Sequence, residues 1–364
     1  MKLQEITNAL EEIAPISYQE SYDNSGLLIG DKKQEIKSAL LCLDSTEAVI
    51  DEAIEKKCDL VIAHHPIIFS GLKRFNGNNE IERVVIKAIK NNIALYAMHT
   101  NLDNVSAGVN AKICQKLGII NTSILQVKTS IYKKLFTFCP IKQADLVRNA
   151  LFEAGAGHIG DYSECSFNTL GFGTFKALEN TQPFVGNVGE RHTEKEEKIE
   201  CVFPAHQQSK IVNALTNAHP YEEVAYDIVS LDNAANDVGS GMIGELATEM
   251  ETKVFLEKIK ENFSAAGIRY TKVLKEKVKR IAVCGGSGSF LLRDAIAQKA
   301  DMFITADFKY HQFFEAENSI VIADIGHYES EQFTTELFYD ILTKKFPTFA
   351  VHFSELNTNP INYL

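Results

Sequence analysis

Two hydrophobic periods alternate along this chain, and the points where one gives way to the other mark its elements. From Leu3 to Glu12 apolar residues return at helical spacing, and Ala14-Pro15 closes the run. A polar turn, Ser21-Tyr22-Asp23-Asn24-Ser25-Gly26, precedes a short apolar strand at Leu27–Ile29, and a second strand follows at Ala39–Leu43. Asp44-Ser45-Thr46-Glu47 reads as a helix N-terminus with a capping box between the short Ser or Asp side chain and the early glutamate. That helix runs to Lys57 and leads into strand Leu60–Ala63. Strand, helix, strand at these lengths predicts a βαβ unit and a parallel sheet.

The unit recurs. Cys42, Ser45, Ala53, Ile54, Lys57, Asp59 and Ile62 are matched without a gap by Cys284, Ser287, Ala295, Ile296, Lys299, Asp301 and Ile304, each 242 residues on. Predicted helices and strands coincide across the same offset, so we read an internal duplication. Each half then supplies one more short strand, Ile93–Met98 or Ile320–Ile325, that runs into a histidine. The middle of the chain is punctuated differently. Strand Tyr132–Pro140, helix 143–155, glycine-rich strands near 167–175, a polar loop over 186–198, strand Lys198–Phe203, helix 207–218 and strand Val224–Ile228 describe a compact α+β module of ferredoxin-like kind. Asn233–Gly244, rich in Gly, Asn and Asp, reads as the return to the main domain. The expected fold is therefore α/β. A core domain of two related halves, 1–128 and 236–364, is interrupted by an insert at 129–235.

Bulk properties narrow the function. A net charge of −11 argues against nonspecific binding to nucleic acid or an anionic membrane, which need basic faces. No apolar run is long enough to span a bilayer, and Met1-Lys2-Leu3-Gln4 lacks the apolar region of a signal peptide, so a cytoplasmic location is expected. The seven cysteines are scattered and form no CxxC pair, so they read as reduced core thiols.

Candidate chemistry gathers at strand ends, where open α/β sheets collect their ligands. Ala63-His64-His65-Pro66 places two imidazoles at a rigid turn. His99-Thr100-Asn101-Leu102-Asp103 closes another strand, with Asp103 as a ligating carboxylate or a turn residue, and His99 as a proton donor or a partner behind the ligands. His327 and Glu331 stand four apart, so on a helix both face one side. Imidazole and carboxylate donors without thiolate suit Zn, Mn, Fe or Co, and two such ions need bridging oxygen and leave positions open for water or substrate. Gly285-Gly286-Ser287-Gly288-Ser289 follows a strand and reads equally as an anion cradle or a tight turn. Asp307, Lys309 and His311 fall at the position matching His64-His65 in the duplication and are candidates for proton transfer or phosphate contact.

Five runs in order carry a resemblance: Ser21–Leu27, Ala63–Phe69, His99–Asp103, Ile304–His311 and Asp324–Glu331. Together they resemble the Nif-three-like dinuclear metal-centre family, often labelled GTP cyclohydrolase I type 2 homologs, and the insert is similar to the PII and CutA-like fold of its longer bacterial members. The resemblance implies His64, His65, Asp103, His327 and Glu331 as ligands of two divalent ions per subunit. It also implies a toroidal homohexamer. Ala306 stands where relatives commonly carry glycine.

Three readings follow. The first is a dinuclear hydrolase acting on a purine-like ring or nucleotide, with water activated at the metals and His99, Asp307 or His311 moving protons; for GTP the attacked atom is C8 and the product formate. Lys309 or Arg74 would then help hold phosphate. The second is a non-enzymatic metal store or sensor whose insert binds an effector. The third is a metal-dependent phosphoesterase, which releases phosphate instead.

Overall fold

A computed structural model describes all 364 residues. Its strands, in chain order, are β1 (Gly26–Ile29), β2 (Ser38–Asp44), β3 (Leu60–His65), β4 (Ala94–Ala97), β5 (Ile119–Lys128), β6 (Tyr132–Pro140), β7 (Phe167–Lys176), β8 (Arg191–Pro204), β9 (Tyr226–Ser230), β10 (Ala235–Glu251), β11 (Arg269–Tyr270), β12 (Lys277–Ser287), β13 (Met302–Ala306), β14 (Val321–Asp324) and β15 (Ala350–Phe353). They fall in two compact units, Met1–Val127 with Asn236–Leu364, and Lys128–Ala235.

The first unit is a mixed α/β body with two sheets, ordered β1-β4-β3-β2-β15 and β11-β14-β13-β12-β10-β5. β2, β3 and β4 run parallel, as do β12, β13 and β14. β1 is antiparallel to β4, and β11 to β14. The registers correspond as well. Ala39 pairs with Leu60 and Leu41 with Ile62, while Ile281 pairs with Met302 and Val283 with Ile304.

Parallel strands covered on both faces need apolar residues at almost every position, and β2 and β3 have them. Alternate side chains go to opposite faces. Ala39, Leu41, Leu60 and Ile62 share one core with Ile281, Val283, Met302 and Ile304 of the other sheet. Leu40, Cys42, Val61 and Ala63 pack instead under the helices Glu47–Glu55 and Glu80–Lys90, through Val49, Ala53, Val84 and Ala88. The helix after β2 is capped by Thr46, which accepts the N–H of Val49 at 3.3 Å; the Asp44 carboxylate is engaged elsewhere.

Two stretches differ from expectation. The segment read as a Gly-rich return is the 17-residue strand β10. Its glycines mark close approach to β5, not turns. A Cβ at Gly239 would lie 2.1 Å from the Gln126 carbonyl oxygen, and one at Gly244 would lie 2.7 Å from that of Ile120. In the second unit the polar stretch before Lys198 belongs largely to β8, whose polar side chains alternate with buried ones. That unit orders its strands β7-β8-β6-β9, with all neighbours antiparallel. Helices Ala144–Glu153 and Gln208–Ala218 cover one face, packing Val147, Leu151, Ile211 and Leu215 on Leu135, Ile199 and Cys201. All seven cysteines are free. No helix is long and apolar enough to cross a membrane.

Ile62 is fully buried where the two sheets share their core. Ile62→Ala should lower unfolding free energy by about 2–5 kcal/mol through lost burial and a cavity. Chemical denaturation measures it, and an unchanged midpoint would refute the shared-core packing.

Candidate metal centre

β3 ends in the histidine pair. His64 continues the parity of Leu60 and Ile62, turns into the inter-sheet space and is fully buried. His65 lies beside Asp44, its register partner on β2. After β4 the chain reaches His99 and makes a single helical turn, Thr100–Asp103, that carries Asp103 back toward the sheets. From the other sheet, β14 runs through Gly326 at φ +100° into the short helix His327–Glu331. Helical spacing turns its first and last side chains the same way, and His327 Nε2 lies 3.1 Å from Glu331 Oε2.

Glu331 is the hub. Its Oε2 is also 3.0 Å from His65 Nε2 and 3.7 Å from His64 Nε2. Asp103 Oδ1 lies 3.7 Å from His64 Nε2 on the other side. His64 Nε2 and Asp103 Oδ1 are both buried with no hydrogen-bond partner. Donor atoms gather in three groups within 4.8 Å: His64, Asp103 and Glu331; His65, His327 and Glu331; His64, His65 and His99.

Four histidines share one device. Nδ1 of His64 meets the Met98 carbonyl at 2.7 Å, and Nδ1 of His65 meets Asp44 at 2.7 Å. Nδ1 of His99 meets Asp23 at 2.8 Å, and Nδ1 of His327 meets Asp307 at 2.7 Å. With the proton on each Nδ1, the Nε2 lone pair is left to bind elsewhere, the arrangement that orients metal-ligating histidines.

The titratable groups of this cluster perturb one another strongly. Burial, then the neighbouring Glu331 charge, pushes the Asp103 carboxyl well above its usual range. Burial also pushes Glu331 up, but the imidazoles of His64, His327 and His65 hold it well below. Burial depresses His64 to about 4. For His65 burial acts the same way, yet Asp44 and Glu331 prevail and raise it to about 9. Asp307 and Glu331 likewise overcome burial at His327 and raise it to about 11.

Asp307 stands behind His327, accepting from its ring and from Ser287 Oγ, so it orients rather than faces the cavity. His311 is not brought to the cluster. It is exposed on the short helix Tyr310–Ala316, against Tyr310 and Phe314. Lys309 and Arg74 are also exposed and line no part of the cavity. The glycine loop is not an anion cradle, because the N–H groups of Gly285, Gly286 and Gly288 already donate to Asn110, Ser330 and Thr305. Gly286, at φ +60°, is there for proximity: a Cβ would lie 2.4 Å from Glu331 Oε1.

Sequence reasoning missed Asp23, Asp44 and the C-terminal segment as parts of this site. The β2–β3 register, pairing Asp44 with His65, was the available signal for Asp44. Thr358 donates to Asp44 at 2.6 Å and Asn359 to Glu329 at 3.1 Å, so the last residues border a cavity of about 760 Å³ above the cluster. Tyr22, Phe69, Phe290 and Tyr328 line it, and no lysine or arginine does.

The family model described as Duf34/NIF3 (NGG1p interacting factor 3) matches residues 1–360. The chain belongs to the Duf34/NIF3 family. Among Duf34/NIF3 relatives, a Bacillus subtilis protein named GTP cyclohydrolase 1 type 2 homolog is 38% identical over 367 residues, covering 99% of this chain and 98% of that protein. A Staphylococcus epidermidis protein of the same name is 34% identical over 369 residues, covering 100% of both. The crystal structure of a Bacillus cereus protein related to NIF3 superposes with a TM-score of 0.85 at 36% identity, over 100% of this chain and 99% of that one.

Two predictions follow from the geometry. Zinc uptake at pH 7 should release protons, because His65 and His327, raised to about 9 and about 11, carry protons that a metal must displace. Affinity should therefore climb as pH rises through that window and fall on acidification. Calorimetry in buffers of different ionisation enthalpy reads the proton count, and zero release at pH 7 would contradict the assignment. Gly286→Ala should displace the Glu331 carboxylate and weaken metal binding about 10–100-fold with the fold retained. Unchanged affinity in a competition titration would show that the close approach is unimportant.

Proposed function

We propose that this chain is a metal-dependent hydrolase with a two-ion centre, and that a purine-type ring is its substrate class, with GTP cyclohydrolase chemistry the specific reaction. One observation carries the metal reading. His64 Nε2 and Asp103 Oδ1 are buried, unpartnered and turned toward a buried carboxylate. Leaving each unsatisfied costs about 1–3 kcal/mol, which a coordinated cation removes. His64, Asp103 and Glu331 would hold one ion and His65, His327 and Glu331 the other, with Glu331 common to both. An all-imidazole and carboxylate set fits Zn, Mn, Fe or Co. Bound divalent ions supply Lewis acidity and lower the pKa of water.

The remaining work falls to the chain's own groups. Asp44, Asp307 and the Met98 carbonyl fix the ligand rings. His99, held through Nδ1 by Asp23, has its other ring nitrogen for proton exchange with a substrate. Tyr22, Phe69, Phe290 and Tyr328 offer flat apolar surface to a planar ring. The names of the relatives support the cyclohydrolase form of the reading. The absence of lysine and arginine from the cavity lining favours a second reading, a metal store or sensor, because a triphosphate finds no cationic side chain there.

The corresponding registers support reading the two parallel triplets as a duplicated half. Strand order supports reading the inserted unit as ferredoxin-like. A toroidal homohexamer is carried over from the family resemblance, and a cytoplasmic location from the lack of a signal-peptide-like apolar region and of a membrane-spanning run in the sequence.

The test is anaerobic metal content of wild type and Asp103→Ala, then GTP incubation with formate and phosphate assayed together. We expect about two ions per subunit and formate in the wild type, and loss of at least one ion and of turnover in the folded variant. Phosphate without formate would replace the reaction with a phosphoesterase. Two ions and neither product would favour the store or sensor, and full occupancy in Asp103→Ala would refute the site.

A further inference from the structure

The second unit contains a cleft of about 750 Å³ that the metal chemistry does not use. Its floor is set by strand parity. On β8, Glu197, Ile199, Cys201 and Phe203 face the helices; Ile199, Cys201 and Phe203 join the core, and Glu197 pairs with Arg148. Glu196 therefore projects to the opposite face. It should be a well-solvated carboxylate there, yet it is only 8% exposed. Tyr221 covers it and donates its hydroxyl to Oε1 at 2.7 Å. The residue across from it on β7 is Gly171, and Gly173 follows; a Cβ at Gly173 would lie 2.0 Å from Oε2. Glu196 lines the cleft, its carboxylate takes one hydrogen bond, from Tyr221 to Oε1, and no lysine or arginine pairs with it. Lys198, two residues along β8 on the same face and itself a lining residue of the cleft, is held by Glu200 at 2.7 Å.

The walls are mainly apolar and aromatic. Phe175 and Phe184 stand 6.1 Å and 6.3 Å from the Tyr221 ring, Phe138, Leu170 and Leu178 line the cleft with them, and Lys176, Glu222 and Glu223 also border it. His219 beneath Tyr221 is saturated, bonded to the Phe138 carbonyl and to the Tyr221 N–H, so it supplies no counter-charge. A buried carboxylate with one oxygen free of hydrogen bonds, in a cleft lined by aromatic rings, is complementary to a cation on an apolar body.

We propose that this cleft is a binding site for an organic ammonium ligand, its N–H groups on Glu196 Oε2 and its apolar part against Phe175, Phe184 and Tyr221. This site does not depend on the metal centre. Tyr221 fixes the carboxylate, and the missing side chain at Gly173 leaves room for it.

The probe is phenethylammonium chloride, titrated calorimetrically into the full-length, metal-loaded protein, with 2-phenylethanol as its uncharged counterpart. We expect saturable binding of the amine at least about tenfold tighter than the alcohol, the size of one charge-assisted hydrogen bond. Glu196→Gln should remove that preference, with metal content and melting temperature unchanged. Equal affinity for amine and alcohol, no saturable amine binding, or an undiminished preference in Glu196→Gln would each overturn the proposal. Should Glu196→Gln fail to fold, the comparison of amine with alcohol on the wild type decides alone.

Discussion

A carboxylate that is 3% exposed sits among three imidazoles, and the rest of the core domain is arranged to keep it there. Glu331 comes from one sheet, while His64 and His65 come from the other. Their convergence requires both sheets to present carboxyl ends at one place, and the shared apolar core of Leu41, Ile62, Val283 and Ile304 fixes that relation. Close packing transmits position, so a methylene lost in that core is felt at the ligands. The glycine at 286 belongs to the same constraint, because β12 passes so near Glu331 that any side chain there would displace it.

Orientation is the second layer. A histidine ring can rotate, and its donor nitrogen is useful only if the other nitrogen is tied. Here three carboxylates and one backbone carbonyl do the tying. The acids have a cost of their own, since they raise the proton affinity of His65 and His327. A site built this way holds protons firmly, and a bound metal would have to displace them. The proton affinity of the cluster is thus set in part by Asp44 and Asp307, which stand behind its rings.

The clustering of His64, His65, Asp103, His327 and Glu331 was legible because histidines and acids at the ends of apolar strands are chemically conspicuous, and because His327 and Glu331 carry a helical spacing. The βαβ arithmetic was legible for the same reason that parallel strands are: uninterrupted apolar runs between amphipathic helices. What escaped depended on register or on backbone. Asp44 reads locally as a helix cap, yet pairing with β3 sets it against His65 and gives the cap to Thr46. Met98 contributes a carbonyl, which no side-chain pattern announces. β10 was hidden because glycine at a close strand contact looks like glycine in a turn. His311 was expected at the site because the proposed duplication was extended past Asp307, where the chain enters a short helix and turns the side chain to solvent.

Asp44 links these levels. One of its oxygens holds His65 Nδ1 and the other accepts from Thr358, so one carboxylate joins the β2 end, a ring of the cluster and the C-terminal segment bordering the cavity. Asn359 makes a parallel tie to Glu329, two residues before Glu331. The terminal segment is therefore anchored to the supports of the cluster rather than to an independent surface. A molecule entering the cavity meets Pro360 and Ile361 on one side and the cluster on another, and displacing the segment would break the bond that shares Asp44 with His65. The segment that borders the cavity and the ring of His65 thus draw on the same carboxylate.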